Sequence, residues 1–292
     1  MAEILRGAEV VEALSRRIAS EVELLVRQGV VPALALVRVG ERGDDLSYER
    51  AVTQYAEGLG VAVRSIVLPE DTTTGLLINT LESLNADADV HGVLLFRPLP
   101  GHIDEDLVRN TLLPTKDIDG MTDLSLAGVF TGMPTGFPPC TAQACREILQ
   151  HFAVELKGKK AVVIGRSLVV GKPVALLLLA EHATVTIAHS RTEDLPGIVK
   201  EADIVVACAG QARMIDAGYL RPGQVVIDVG INVTDAGELV GDVDFEEAAT
   251  VVEALTPVPG GVGIVTTGVL VKHVVMAASK TTSQPNRAHN VQ

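Results

Sequence analysis

The run Val162-Val163-Ile164-Gly165-Arg166-Ser167-Leu168-Val169-Val170-Gly171-Lys172-Pro173 carries the sharpest chemical signal in the chain. It reads as a buried strand ending in Gly165 and a helix opening at Gly171. Pro173 falls in the first helical turn, where a missing N–H is harmless. Backbone N–H groups at such a helix start attract phosphate. The pattern departs from the Gly-x-Gly-x-x-Gly dinucleotide fingerprint, because Ser167 stands where the second glycine would be. Alone, it reads equally as a tight strand-to-helix turn.

The next strand supplies the context. It ends His189-Ser190-Arg191-Thr192, where an NAD site usually places an acid for the ribose hydroxyls. A hydroxyl and a cation suit a 2′-phosphate instead, with Arg191 or Arg166 pairing to it. NADP is therefore expected over NAD, although Glu193 and Asp194 lie just beyond and Arg191 also reads as a solvated loop charge. Two more strand ends, Ala207-Cys208-Ala209-Gly210 and Asp228-Val229-Gly230-Ile231-Asn232, offer small residues where a ribose or nicotinamide must approach the backbone. Cys208 reads as a small buried residue rather than a nucleophile, since no His partner follows nearby. The seven histidines are scattered, so no metal site is expected. The nucleotide-side candidates are Gly165, Arg166, Ser167, Gly171, His189, Ser190, Arg191, Ala209, Gly210, Ile231 and Thr266.

These positions need a parallel sheet behind them, and the pattern of elements provides one. Helical spacing covers Val10 to Val26, followed by a strand from Pro32 to Val39. A helix from Leu46 to Leu59, a strand from Val61 to Leu68, a helix from Thr73 to Asn85 and a strand from Gly92 to Phe96 complete the first alternation. Residues 114–140, with four prolines, read as a long loop between domains. The second alternation places strands at Lys160 to Ile164, Thr184 to Ala188, Asp203 to Ala207, Val225 to Val229 and Val251 to Leu255. Helices are expected from Val170 to Glu181 and from Val265 to Ser279. The tail from Thr281 reads as polar and disordered.

Bulk composition agrees. In 292 residues, 47% are hydrophobic, only 3% are aromatic and Trp is absent, so aliphatic residues must build the core, as they do in parallel sheets under helices. A net charge of −13 disfavours nucleic acid and anionic membrane as partners. Three cysteines without paired spacing fit a reducing cytoplasm. No signal segment and no membrane-spanning run are expected.

The residues resemble the methylenetetrahydrofolate dehydrogenase/cyclohydrolase family. The matching segments are Lys116-Asp117-Ile118-Asp119-Gly120, Pro139-Cys140-Thr141, the glycine run above, Asp228 to Asn232, Val240-Gly241-Asp242-Val243 and Thr256-Pro257-Val258-Pro259-Gly260-Gly261-Val262-Gly263. They span nearly the whole chain in the family's order. The resemblance implies an α/β fold with an N-terminal α/β substrate domain (1–140 plus 265–280), a Rossmann-like parallel-sheet dinucleotide-binding domain (141–264), and a cleft between them. It also implies a homodimer, a folate-like substrate and NADP. Gly165, Arg166, Ser167, Ser190 and Ile231 match positions that contact NADP. Tyr48 matches a tyrosine on the pterin side, and Asp119 a carboxylate that hydrogen-bonds the pterin ring. Locally, Tyr48 also reads as a half-buried helix residue and Asp119 as a turn cap before Gly120.

The departures cluster on the substrate side. The family's catalytic lysine, four residues after the tyrosine, falls on Val52, and its assisting glutamine on Phe96. Ile264-Val265-Thr266 and Ala142 also depart. Arg50 points away around the helix, and Arg97, next to Phe96 in a strand, is expected on the opposite face of the sheet. Hydride transfer is largely positioning. Hydrolysis of a methenyl product needs proton transfers that placed side chains typically speed by about 10²–10⁴-fold. The expectation is therefore an NADP-dependent methylenetetrahydrofolate dehydrogenase with weak or absent cyclohydrolase activity. The alternatives are a bifunctional enzyme, an oxidoreductase on another pterin-like or specialised substrate, and a non-catalytic NADP-binding protein.

Overall fold

The computed structural model describes residues 2–282. In chain order its elements are β1 (Glu3–Ile4), α1 (Gly7–Arg27), β2 (Ala33–Val39), α2 (Gly43–Gly58), β3 (Ala62–Leu68), α3 (Thr74–Ala86), β4 (Gly92–Leu95), α4 (Glu105–Thr111), α5 (Asp123–Thr131) and α6 (Cys140–His151). There follow β5 (Lys160–Ile164), α7 (Gly171–Ala180), β6 (Thr184–Ala188), α8 (Leu195–Glu201), β7 (Ile204–Ala207), β8 (Val225–Asp228), β9 (Asn232–Val233), β10 (Leu239–Val240), α9 (Phe245–Ala248), β11 (Ala254–Leu255) and α10 (Val262–Thr282).

The chain divides into two compact units, each assembled from separated stretches. One takes the residues up to Ala13, Val129–Gly132 and Pro138–Val269; the other takes Leu14–Gly128, Met133–Phe137 and the residues from Leu270.

The Leu14–Gly128 unit holds a three-stranded parallel sheet in the order β3-β2-β4. Central β2 is buried almost throughout and accordingly reads as an unbroken apolar run save for Arg38. Arg38 is satisfied by Glu49 at 2.7 Å and by the Gly40 carbonyl. Edge strand β3 alternates and exposes one side. Val93 bridges to Asp117 in parallel sense beside β4. Leu77 and Leu81 of α3 pack with Ala35, Val37, Val93 and Leu95 into one core.

The Pro138–Val269 unit holds six parallel strands in the order β1-β11-β8-β7-β5-β6. From β5 the chain first goes to β6 on one side and then crosses to β7 on the other. The strand order therefore reverses at β5, the place where open α/β sheets bind ligands beyond their carboxyl ends.

Residues 114–140 are not the single long loop expected. They contain α5, and α6 opens at Cys140. The physical reason is Asp117, whose buried carboxylate accepts the Met121 N–H at 3.0 Å, the Thr122 N–H at 2.8 Å and the Ser125 hydroxyl at 2.6 Å. Those bonds shape the turn that leads into α5, whose N-cap is Thr122, its Oγ1 accepting the Ser125 N–H at 3.1 Å. Helix α10 is long and apolar enough by composition to cross a bilayer, with mean hydropathy 1.6 over Val262–Thr281, yet 61% of that stretch is buried within the protein. The tail expected from Thr281 begins inside α10, and from residue 283 onward it lies outside the described residues.

Candidate active site

On the nucleotide side, two glycines are required by backbone contact. Gly165 sits at φ +140°, and a Cβ there would lie 2.3 Å from the Cys208 carbonyl oxygen; a Cβ on Gly171 would lie 2.3 Å from the Gly165 carbonyl oxygen. The loop after β5, the start of α7 and the loop after β7 thus touch through bare backbone. Ser167 serves the turn, its Oγ accepting the Val170 N–H at 3.1 Å and the Gly171 N–H at 3.4 Å. Arg166, Ser167, Leu168 and Val169 are exposed.

The turn after β6 is closed by its own side chains. The His189 N–H donates to Thr192 Oγ1 at 2.8 Å, and His189 Nδ1 accepts the Arg191 N–H at 3.2 Å. Ser190 and Arg191 are left exposed. Asp194, the acid that clouded the NADP reading, caps α8 by accepting the Gly197 N–H at 3.2 Å.

Beneath these loops lies a pair of buried aspartates that sequence reading did not single out. Asp242 accepts the N–H groups of Ala209, Gly210 and Gln211 at 2.6, 2.9 and 2.9 Å, and the Asn232 side-chain amide at 2.9 Å. Asp228 accepts the N–H groups of Gly230, Asp242 and Val243, each at 3.0 Å. Burial pushes the Asp228 carboxyl up to about 6, its three backbone donors only partly offsetting this. The signal was present in Val240-Gly241-Asp242, since a Cβ on Gly241 would overlap Asp228 Oδ2. Beside the pair, a cavity of about 130 Å³ is lined by Gly230, Ile231, Leu239, Pro259, Gly261 and Ile264 among others. Ile231 is 64% exposed. Thr266 is half-buried within α10, donates to the Val262 carbonyl at 3.2 Å, and is not one of the residues lining that cavity. Burial pushes the Cys208 thiol up to about 12, with Asp242 adding to the rise, so the thiolate a nucleophile needs is absent at neutral pH.

In the other unit lie the residues expected on the substrate side. Tyr48 stands on α2, which follows β2. Phe96 and Arg97 follow β4, and Asp119 follows the bridge at Asp117. The Tyr48 and Phe96 rings meet edge to face with centroids 6.0 Å apart. Val52, one turn beyond Tyr48, is completely buried, so it offers the site neither charge nor proton. Arg50 donates back to the Leu46 carbonyl at 3.1 Å. Lys116 is likewise unavailable as a base, because its Nζ donates to the Leu84 and Asp87 carbonyls at 2.6 and 2.5 Å.

Arg97 forms ion pairs with two carboxylates. Its Nη2 lies 3.7 Å from Asp119 Oδ2 and its Nη1 3.6 Å from Glu105 Oε1. Strand β4 ends at Leu95, so the rule that neighbours face opposite sides no longer applies at residue 97.

Residues 5–119 match the model of the tetrahydrofolate dehydrogenase/cyclohydrolase catalytic domain, and residues 139–282 that of the NAD(P)-binding domain of the same family. A relative from Clostridioides difficile, named bifunctional protein FolD, is 48% identical over 275 residues, covering 94% of this chain and 96% of its own. The structure of the bifunctional FolD enzyme from Campylobacter jejuni superposes with a TM-score of 0.94 at 33% identity, covering 96% and 100% of the two chains. That of the Trypanosoma brucei dehydrogenase-cyclohydrolase, complexed with NADP cofactor and an inhibitor, gives 0.90 at 35% identity, covering 97% and 99%.

Proposed function

Because the chain belongs to the tetrahydrofolate dehydrogenase/cyclohydrolase family, we propose that it oxidises 5,10-methylenetetrahydrofolate with NADP and hydrolyses the methenyl product. The observation that carries the oxidoreductase half is the backbone-to-backbone contact of Gly165 with Cys208 and of Gly171 with Gly165 at the strand-order reversal. A pyrophosphate would bind against the backbone N–H groups at the start of α7. Arg166 and Arg191 pair with the 2′-phosphate, and Gly210 and Ile231 flank the ribose and nicotinamide. NADP, when bound, supplies the hydride acceptor. Tyr48 and Asp119 orient the pterin, so the protein's share of hydride transfer is placement.

The expected loss of hydrolysis finds no support in the relatives, which are bifunctional by name. A dehydrogenase-only reading keeps one specific observation in its favour: Val52 is buried where the family carries its lysine. A paired assay on purified protein separates the two. NADP-dependent absorbance with methylenetetrahydrofolate reads oxidation, and cofactor-free decay of the methenyl compound reads hydrolysis. Both signals, with hydrolysis abolished by Tyr48→Phe, are expected. Oxidation without hydrolysis selects the dehydrogenase-only reading. NADP binding with no oxidation overturns the folate assignment in favour of another pterin-like substrate. The homodimer is likewise proposed, and light scattering on the eluting protein checks it.

A further inference from the structure

We propose that Arg97 is a positioning residue for the folate substrate, acting by holding the Asp119 carboxylate that receives the pterin ring. The inference rests on the reading of Tyr48 and Asp119 as the pterin side. Arg97 stands immediately after Phe96, just past the carboxyl end of β4, and its guanidinium spans two carboxylates from different segments. Asp119 Oδ2 lies at 3.7 Å and Glu105 Oε1, in the first turn of α4, at 3.6 Å. A planar fork with several donors is suited to that span, whereas an ammonium group is a single point of charge.

Three further observations bear on the pair. The arginine side chain is only 21% exposed. Its Nε is buried with no hydrogen-bond partner among the described residues, as is Arg109 Nε. The neighbouring cations are committed elsewhere: Arg38 to Glu49 and the Gly40 carbonyl, Arg42 to the Pro98 carbonyl, Lys116 to two helix-end carbonyls.

The chemistry gives the pair a use. The amino-pyrimidine ring of a pterin presents adjacent N–H donors, and a carboxylate accepts them well only in one orientation. Arg97 acts on that carboxylate by charge, its Nη2 lying 3.7 Å from Oδ2, beyond hydrogen-bond distance. An arginine stays protonated, so it supplies orientation and charge and no proton transfer.

The test uses the full chain with Arg97→Leu and Arg97→Lys. It reads tetrahydrofolate affinity by calorimetry, KM and kcat for methylenetetrahydrofolate, KM for NADP, and melting temperature. Arg97→Leu is expected to raise folate Kd and KM by about tenfold while the NADP KM stays unchanged, and Arg97→Lys to recover part of the loss. A folded Arg97→Leu protein with folate KM and Kd raised less than about threefold overturns the proposal. So does a parallel rise in NADP KM, which marks a structural role. If Arg97→Leu does not fold, the same threshold is applied to Arg97→Lys. A wild-type protein that fails to turn over methylenetetrahydrofolate, yet binds tetrahydrofolate in an Arg97-dependent way, overturns the assigned reaction and leaves the role of Arg97 standing.

Discussion

At the scale of single residues, the nucleotide cradle depends on what is missing from two side chains. Gly165→Ala places a methyl group against the Cys208 carbonyl at a backbone angle that L-residues avoid. A loss of about 2–4 kcal/mol in unfolding free energy is expected, together with weaker NADP binding. Denaturant melts and NADP titration check it. Gly75→Ala, whose Cβ meets open space in the first turn of α3, is the control and should raise stability by up to about 1 kcal/mol. Cys208 offers a second check at this scale. With its thiol pushed up to about 12, it should resist iodoacetamide at pH 8 in the folded protein and react once denatured, as read by mass spectrometry. Rapid stoichiometric labelling of native protein would contradict that environment. The glycines were legible in the sequence because their spacing is tied to a strand-to-helix turn. The partner of Arg97 was not, because it depends on where β4 stops, and alternation gives no direction once the ladder of hydrogen bonds has ended.

At the scale of elements, runs with apolar periodicity were legible nearly to the residue. Strands β5 and β6 lie where their runs of aliphatic residues begin and end. The short helices were not legible, since each is started by a cap rather than by a pattern. Helix α4 begins where the Asp104 side chain accepts the Leu107 N–H at 3.0 Å, and α5 where Thr122 Oγ1 accepts the Ser125 N–H at 3.1 Å, on a turn held by Asp117. Asp117→Asn would turn an amide NH₂ toward donors that need an acceptor. A loss of about 2–3 kcal/mol is expected, measured by denaturant unfolding, and an unchanged midpoint would remove Asp117 as what holds the turn before α5. The motif Lys116-Asp117-Ile118-Asp119 thereby divides its labour. Lys116 caps the end of α3, Asp117 holds the turn before α5, and Asp119 faces Arg97.

At the scale of the whole molecule, the buried Asp228 links stability to pH. The Asp228 carboxyl lies at about 6 in the folded protein against 3.8 in an ordinary setting, so the folded state holds this proton more tightly than the unfolded state. Its favourable contribution is complete below about pH 4 and is lost as pH rises through about 6. The difference in unfolding free energy between wild type and Asp228→Asn should therefore move against wild type by roughly 2–3 kcal/mol across that window. Unfolding curves at pH 4, 5, 6 and 7 give the slope, and a flat difference would mean that Asp228 titrates normally.

The sheet also has a history. Strand β1, at residues 3–4, pairs with β11 at residues 254–255. During synthesis the first strand leaves the ribosome long before its partner exists, by roughly ten seconds to a minute at ordinary elongation rates. Until then the edge that β8 offers to β11 is uncovered, and the aliphatic start of the chain has nowhere to dock. The sheet is thus completed by joining two strands made about 250 residues apart.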